Sequence, residues 1–439
     1  MTARRSIVRT TLLLLPLQIV FRAGEAVLPL LLAMWFGRTN ATDVYYFAWA
    51  VFALAGALVF SAYQDSALVP ILAEVRRENP KALPEVVGSM LAHTLVLASA
   101  LAVAIALGAL AWFYLRYEGE DFALAARMIV PFAFFLIALT LKTFLGALLS
   151  ADHRFFPLPL ASALGMATTI GIIAGGRASL GVLAIPIASL AGEAIAIAVL
   201  AWTVFGLLGT KLRLTFARPE PVRRFARLIA SEVGGSAVTR VNPVIDQLMA
   251  GLAGIAGGGT LIRYSGDVSS LPTSILQVTL LPVLLSHLAD DFAARDLQKI
   301  RRTVRRALLA VGVVLGIAAV LLYVARGPLL RFVFLRGEMD AGGVDRMIRL
   351  LPYHLVGLAP FGALLVLARA HVAVQNSRIM LTMGLLNAAL NAVFNVVLLK
   401  AIGLEGIALS TSCVQLAVAI VFWFRLEARL GGHIEPVPR

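Results

Sequence analysis

Residues 239–288 read TRVNPVIDQLMAGLAGIAGGGTLIRYSGDVSSLPTSILQVTLLPVLLSHL, and their reading decides the fold. The stretch is apolar enough to cross a bilayer twice, with GIAGGGT (254–260) as the tight turn between the crossings. Yet Arg240, Asn242, Asp246, Arg263 and Asp267 sit within or close to the apolar runs. An ionisable group at membrane depth costs roughly 2.5–3.5 kcal/mol on insertion scales, so such groups face a bundle interior or a wet cavity. Pro243, Pro272 and Pro282 are expected to break the helical ladder, which lipid tolerates only where neighbours or water satisfy the freed groups. Polar residues beside broken helices near the midplane are the pattern of a transport pathway.

Working outward, composition agrees. Of 439 residues, 60% are hydrophobic and 14% charged, and the mean hydropathy is +0.90. Soluble domains carry about 25% charged residues, so the chain reads as an all-α polytopic membrane protein. A net charge of +14 in so apolar a chain points to basic cytoplasmic loops rather than to nucleic acid. The one cysteine, Cys413, excludes an internal disulfide and a cysteine-rich metal site, and the six histidines form no HxxxH or HExxH. MTARRSIVRTTLLLLPLQIV (1–20) has a charged start, but its apolar run continues past residue 30 without a small-residue cleavage site. It reads as a first membrane helix and not as a removed peptide.

A span needs about 20 apolar residues, and on that rule about twelve are expected. They cover 9–36, 43–73, 84–115, 122–150, 155–176, 179–208, 225–254, 258–288, 304–335, 342–370, 377–400 and 403–427. Basic residues concentrate in alternate loops, among them Arg76, Arg77 and Lys81, the run from Lys211 to Arg227, and the run from Arg295 to Arg306. The positive-inside rule then places both termini in the cytoplasm. The proline-rich, charged stretch GTKLRLTFARPEPVRR (209–224) reads as a cytoplasmic linker between lobes at 1–208 and 225–427, with 428–439 as a cytoplasmic tail. The halves repeat weakly: ADHRFF…SLGVLAIPIAS (151–189) echoes QNSRIM…LEGIALSTS (375–412). Both halves start from one side, so the repeat is parallel, about a pseudo-two-fold axis along the membrane normal, with substrate expected between the lobes.

Several polar groups compete for a role. Arg22 and Glu25 lie three apart on one helix face, and Arg263 and Asp267 four apart. Either pair neutralises itself so that its helix can insert, or it lines a cavity where the arginine meets phosphate or carboxylate. Asp246 has no opposite charge one turn away, and Asn242 shares its face. The eleventh span repeats asparagine at Asn387, Asn391 and Asn395. Three amides on one stripe either bond neighbouring helices, at about 0.6–2 kcal/mol each, or line a cation site with Asp246 and Thr411. Carboxylate, amide and hydroxyl oxygens suit a hard cation, so Na+ is the candidate coupling ion. Asp65 and Glu193 are isolated acids inside spans, and Lys142 either snorkels or pairs. GIAGGGT lacks the GK[ST] ending of a phosphate loop, no nucleophile–base constellation stands out, and no enzyme is expected.

Several stretches carry a family resemblance. FGRTNATDVYYFAW (36–49), SALVPILAEV (66–75), NPVIDQLMAG (242–251), GPLLRFVFLRGEMD (327–340), LLVLARAHVAVQNSRIM (364–380) and GLEGIALSTS (403–412) follow one another in the order and spacing of one family. In these the chain resembles the MurJ (MviN) lipid II flippases of the multidrug/oligosaccharidyl-lipid/polysaccharide exporter superfamily. The resemblance implies two six-helix lobes around a cationic cavity, alternating access, a lipid diphosphate as substrate and a bacterial inner-membrane location. Asp43 matches the family's acid, whereas Leu28, Met34 and Gly56 stand where arginines are expected, and an Asp-Arg pair falls on Gly266 and Asp267. Arg22, Glu25, Asp43, Asp65, Arg263 and Asp267 are therefore the candidate substrate contacts, with Arg22 and Arg263 on the phosphates. The resemblance also implies a sodium site, with Asp246, Asn391 and Thr411 matching and Asn395 in place of a second acid.

These readings converge on a monomeric flippase for a polyprenyl-diphosphate-linked glycan, such as a peptidoglycan or exopolysaccharide precursor, with membrane lipids as its surroundings. Two alternatives stand beside it. A cation-coupled drug exporter would carry an acidic or aromatic cavity. A non-transporting scaffold for cell-wall assembly would tolerate cavity mutations but not loop changes.

Overall fold

A computed structural model describes residues 24–25, 27–60, 68–152, 154, 156–207, 212–227, 241–374, 376 and 378–431. The expected positions Arg22, Asp65 and Arg240 lie outside the described residues. The chain divides into two compact units, 1–237 and 238–439.

The first unit contains α1 (Val27–Phe36) and α2 (Asn40–Phe60), then α3 (Val69–Glu78) and α4 (Leu83–Arg116). It continues with α5 (Gly119–Ala151), α6 (Pro157–Leu180), α7 (Ala184–Ala201) and a short α8 over 220–227. Thr39 starts α2: its hydroxyl accepts from the Thr42 N–H (3.2 Å), and the Thr42 hydroxyl accepts from the Thr39 N–H (2.7 Å). Two of the donors orphaned at a helix N-terminus are thereby satisfied. Asp43 follows in the first turn, where a negative charge complements the helix dipole.

α6 and α7 are joined at Gly181 and pack closely against one another. Their contact depends on small residues: a methyl group on Gly165 would come within 2.7 Å of the Gly192 carbonyl oxygen. The Thr169 hydroxyl donates to Gly165 O (3.0 Å) and to Ala188 O (3.3 Å) across the same contact. In lipid, where burying apolar surface gives helices no advantage, such close approach is what holds a pair together.

The segment expected to link the lobes packs on the first unit. Arg213 N–H donates to Pro84 O (3.3 Å), the Ser89 hydroxyl donates to Ala217 O, and Arg224 grips Glu74 at 3.0 and 2.9 Å. Val222 and Phe225 of α8 are buried in one core with Leu72, Phe144 and Leu200.

The second unit contains α9 (Asn242–Leu252), α10 (Gly258–Ala293), α11 (Leu297–Phe334), α12 (Ala341–Val356), α13 (Leu358–Ala373), α14 (Arg378–Ile402) and α15 (Leu404–Gly431). The expected turn at 254–260 is tighter in the structure: Gly254 and Gly257 adopt left-handed φ values of 69° and 74°, and α10 starts immediately after. α13 packs on α10, α11 and α15, and α14 packs on α15 and α9.

The expectation that three prolines break their helices is corrected. Pro243 lies in the first turn of α9, where its missing N–H has no partner to lose, so it starts the helix. Pro272 and Pro282 lie inside α10, which runs unbroken for 36 residues. Hydroxyl groups tie down the carbonyls around Pro272. Ser269, Ser270, Thr273 and Ser274 each donate to the carbonyl three residues back, at 2.8, 2.9, 2.7 and 2.7 Å.

Among the described residues, six helical stretches are long and apolar enough to cross a membrane, and α12 with α13, bent by 40°, makes a seventh. One of the six, 157–206, turns back at Gly181 into α6 and α7. The surface agrees: Val96, Leu97, Val103 and Leu107 of α4, and Leu309, Val313, Val320 and Val324 of α11, are all exposed. In water such rows would form the kind of apolar patch that soluble monomers avoid.

Candidate functional site

The second unit gathers the predicted cation ligands. α9 presents Asp246, α14 presents Asn391 and Asn395, and α15 presents Thr411. Asp246 Oδ1 accepts from Asn395 Nδ2 (2.9 Å) and from Asn391 Nδ2 (3.1 Å), and Oδ2 accepts from the Thr411 hydroxyl (3.3 Å). Asn395 Nδ2 also donates to Asn391 Oδ1 (2.9 Å). Both asparagines are fully buried. The i,i+4 spacing puts their amides one above the other on α14, which lets both reach one carboxylate.

The stripe of three asparagines therefore resolves into two. Asn391 and Asn395 meet Asp246, while Asn387 makes no hydrogen bond to another described residue. Asn242 shares a helix face with Asp246, but its buried Oδ1 has no hydrogen-bond partner.

Among the described residues Asp246 makes no ion pair: its three side-chain partners are neutral donors. Asn395 Oδ1 is buried and accepts nothing. A carboxylate, a spare amide oxygen and a hydroxyl oxygen make a donor set that fits a hard monovalent cation. Asp246, Asn395, Asn391 and Thr411 would hold it, the amides turning their oxygens inward. Among the described residues, three acids, histidines or cysteines never cluster as a multivalent ion would require.

The predicted substrate contacts are placed differently. Arg263 Nε donates to Asp267 Oδ2 at 3.0 Å, an i,i+4 pair on α10 with each side chain about a third exposed (37% and 34%). Glu25 is exposed at the start of the described chain, and Asp43 lies on α2 in the first unit. Arg263 and Asp267 are thus brought together within the second unit.

Lys142 and Glu193, the two isolated charges, find each other. Lys142 Nζ on α5 donates to Glu193 Oε1 on α7 at 2.7 Å, with side chains only 14% and 15% exposed. The pairing spans 51 residues, so no periodicity within either helix announces it. Each charge alone inside a span was the available signal, because an intramembrane ionisable group needs a partner. His371 was passed over in sequence. It is fully buried between α13 and α15, with Nε2 3.0 Å from Phe422 O and Nδ1 3.2 Å from Asn376 Nδ2.

Comparison with known proteins adds the family. The model of the family described as Lipid II flippase MurJ matches residues 32–438. The chain is 23% identical over 426 residues to Lipid II flippase MurJ of Burkholderia cenocepacia, covering 93% of this chain and 81% of that protein. It is 23% identical over 332 residues to a probable lipid II flippase MurJ of Rhizobium tropici, covering 72% of this chain and 60% of that protein. Among solved structures, Lipid II flippase MurJ in an inward closed conformation superposes with a TM-score of 0.80 at 19% identity, covering 95% of this chain and 87% of that one. An inward-facing multidrug resistance MATE family transporter of the MOP superfamily superposes at 0.74 with 15% identity, covering 94% of each chain. At such identities the superpositions establish the fold. The family model reaches from the middle of α1 to the end of the chain, and the protein belongs to the MurJ lipid II flippase family.

Proposed function

We propose that the chain is a bacterial inner-membrane flippase that carries a polyprenyl-diphosphate-linked glycan by alternating access, coupled to a cation bound at Asp246. Family membership supports the substrate class. The observation that carries the coupling is the Asp246 carboxylate, held among Asn391, Asn395 and Thr411 with no basic partner among the described residues. A membrane helix bears such a charge at a cost, and a bound cation offsets it. Cation binding at one face and release at the other would then bias the two states by its differential affinity for them.

Translocation makes and breaks no covalent bond, so the residues' work is binding and release. Arg263, with Arg22, contacts the diphosphate. The Arg263–Asp267 pair is partly exposed, so the guanidinium can exchange its carboxylate for phosphate oxygens of similar geometry. Glu25, Asp43, Asp65 and Asp267 set the charge around the headgroup. The basic start of α11 supports cytoplasmic termini, and the chain works as a monomer in contact with membrane lipid.

The test is translocation of a fluorescent undecaprenyl-diphosphate glycan in proteoliposomes, with and without a sodium gradient. Gradient-dependent flipping that Asp246→Asn abolishes is expected. If folded protein flips no lipid-linked glycan under any gradient, the reading fails. Export of cationic compounds in the same vesicles would then favour the drug exporter.

A further inference from the structure

Away from the Asp246 cluster, the second unit carries an open groove of about 500 Å3 whose lining no transport step above uses. That volume lies within the roughly 300–1,000 Å3 range of small-ligand sites. Tyr323 and Arg326 enter it from α11, Arg349 and Tyr353 from α12, and Glu405 from the first turn of α15. Arg326 lies about 44 Å along α11 from Leu297, at 1.5 Å per residue, so the groove is far from the basic start of that helix.

The charges in this groove are uncompensated. Arg326 is held by its own helix: the guanidinium donates to Tyr323 O and lies 3.9 Å from the Tyr323 ring centroid. It makes no ion pair among the described residues. Arg349 makes none either, because the acid one turn before it, Asp345, is taken by Arg331 at 3.1 Å. Glu405 lines the same space and is likewise without an ion pair among the described residues. Arginines that merely reach for the membrane surface would extend outward. Here one is pinned against a tyrosine, and a second arginine and a carboxylate line the same groove from two other helices.

Two guanidinium groups match the oxygens of one phosphate. A carboxylate in the same groove matches a cation attached to that phosphate. We propose that the groove binds a membrane phospholipid through a phosphoethanolamine-type headgroup, with Arg326 and Arg349 on the phosphate and Glu405 on the ammonium group. Tyr323 and Tyr353 line the same groove, residues of the type that gathers at membrane interfaces. Binding rests on the groove alone. That the lipid belongs to the outer leaflet rests on the orientation proposed above.

Native mass spectrometry of the full-length protein in detergent, titrated with phosphatidylethanolamine and phosphatidylglycerol, tests the site. The wild-type protein is expected to bind phosphatidylethanolamine about tenfold more tightly than phosphatidylglycerol. Arg326→Gln with Arg349→Gln should weaken both by about tenfold or more, the scale of losing a phosphate's charged partners. Glu405→Gln should erase only the preference between the lipids. Melting temperatures show that each variant is folded, and Arg349→Gln alone, at an exposed side chain, serves if the double variant is not. Unchanged phosphatidylethanolamine binding in a folded arginine variant overturns the proposal. Soluble phosphoethanolamine binding as tightly as the lipid also overturns it, because the site would then serve a free metabolite. The readout is binding and not flipping, so either result leaves the flippase reading to its own test.

Discussion

The two units each place a carboxylate inside the membrane-spanning helices and treat it in opposite ways. In the first unit Glu193 is paired with Lys142 at 2.7 Å, and the charges cancel. In the second, Asp246 is surrounded by two amides and a hydroxyl and makes no ion pair among the described residues. A pair that cancels has nothing to gain from an ion and serves as a lock between α5 and α7. A carboxylate that is solvated but not neutralised is left one positive charge short. Desolvation makes a buried ion pair a weak net stabiliser, yet removing one member leaves a bare charge that costs far more. The same chemistry therefore makes one carboxylate structural and leaves the other available to a cation.

The first way to break this comparison is to make the first unit resemble the second. Lys142→Met strands Glu193, and a loss of about 3–5 kcal/mol is expected in denaturant or thermal unfolding. Lys142→Met combined with Glu193→Leu should recover most of that loss, because a well-packed apolar pair replaces a buried ion pair at little cost. A double variant as unstable as the single would show that the pair is not a lock.

The comparison is sharpened by adding charge to the second unit. Asn395→Asp supplies a second carboxylate beside Asp246, and sodium should bind about tenfold more tightly, worth about 1.4 kcal/mol. The rise of melting temperature with sodium concentration measures this, since a ligand of the folded state alone stabilises by mass action. Sodium stabilisation that is unchanged in Asn395→Asp would remove Asn395 from the site.

The smallest effect lies outside the membrane, at the Glu74–Arg224 pair. Hydrogen bonding from Arg224 holds the Glu74 carboxyl below its ordinary value of 4.5. The contribution is fully present above that value and fades as the pH falls through the lower folded value. Both side chains are well exposed, at 39% and 40%, so water and salt screen the pair. The gap in melting temperature between wild type and Arg224→Gln should be small at about pH 7 and should close at about pH 3. A gap that persists in acid would mean that Arg224 acts through packing rather than charge.

Much of the candidate site was legible in the sequence. Asn391 and Asn395 stand one helical turn apart and Asp246 has no opposite charge one turn away, so local spacing already marked them. The reading of hard oxygen donors already drew Thr411 into the same group. Spacing did not say that Asn387, on the same stripe, stands apart, because that depends on where α9 and α15 cross α14. Nor did it reveal that α10 runs unbroken past Pro272, or that 212–227 packs into the first unit's core.

Hydropathy runs and basic loops determined by themselves that this is a helical membrane protein, because a bilayer demands long apolar helices with their polar groups satisfied internally. The partners of its buried charges were decided only in the tertiary structure. Lys142 meets Glu193 across 51 residues, and Tyr323, Arg326, Arg349, Tyr353 and Glu405 converge from three helices on one groove. Periodicity records which face of a helix is polar, but the register in which two faces meet is set by packing between segments distant in the chain.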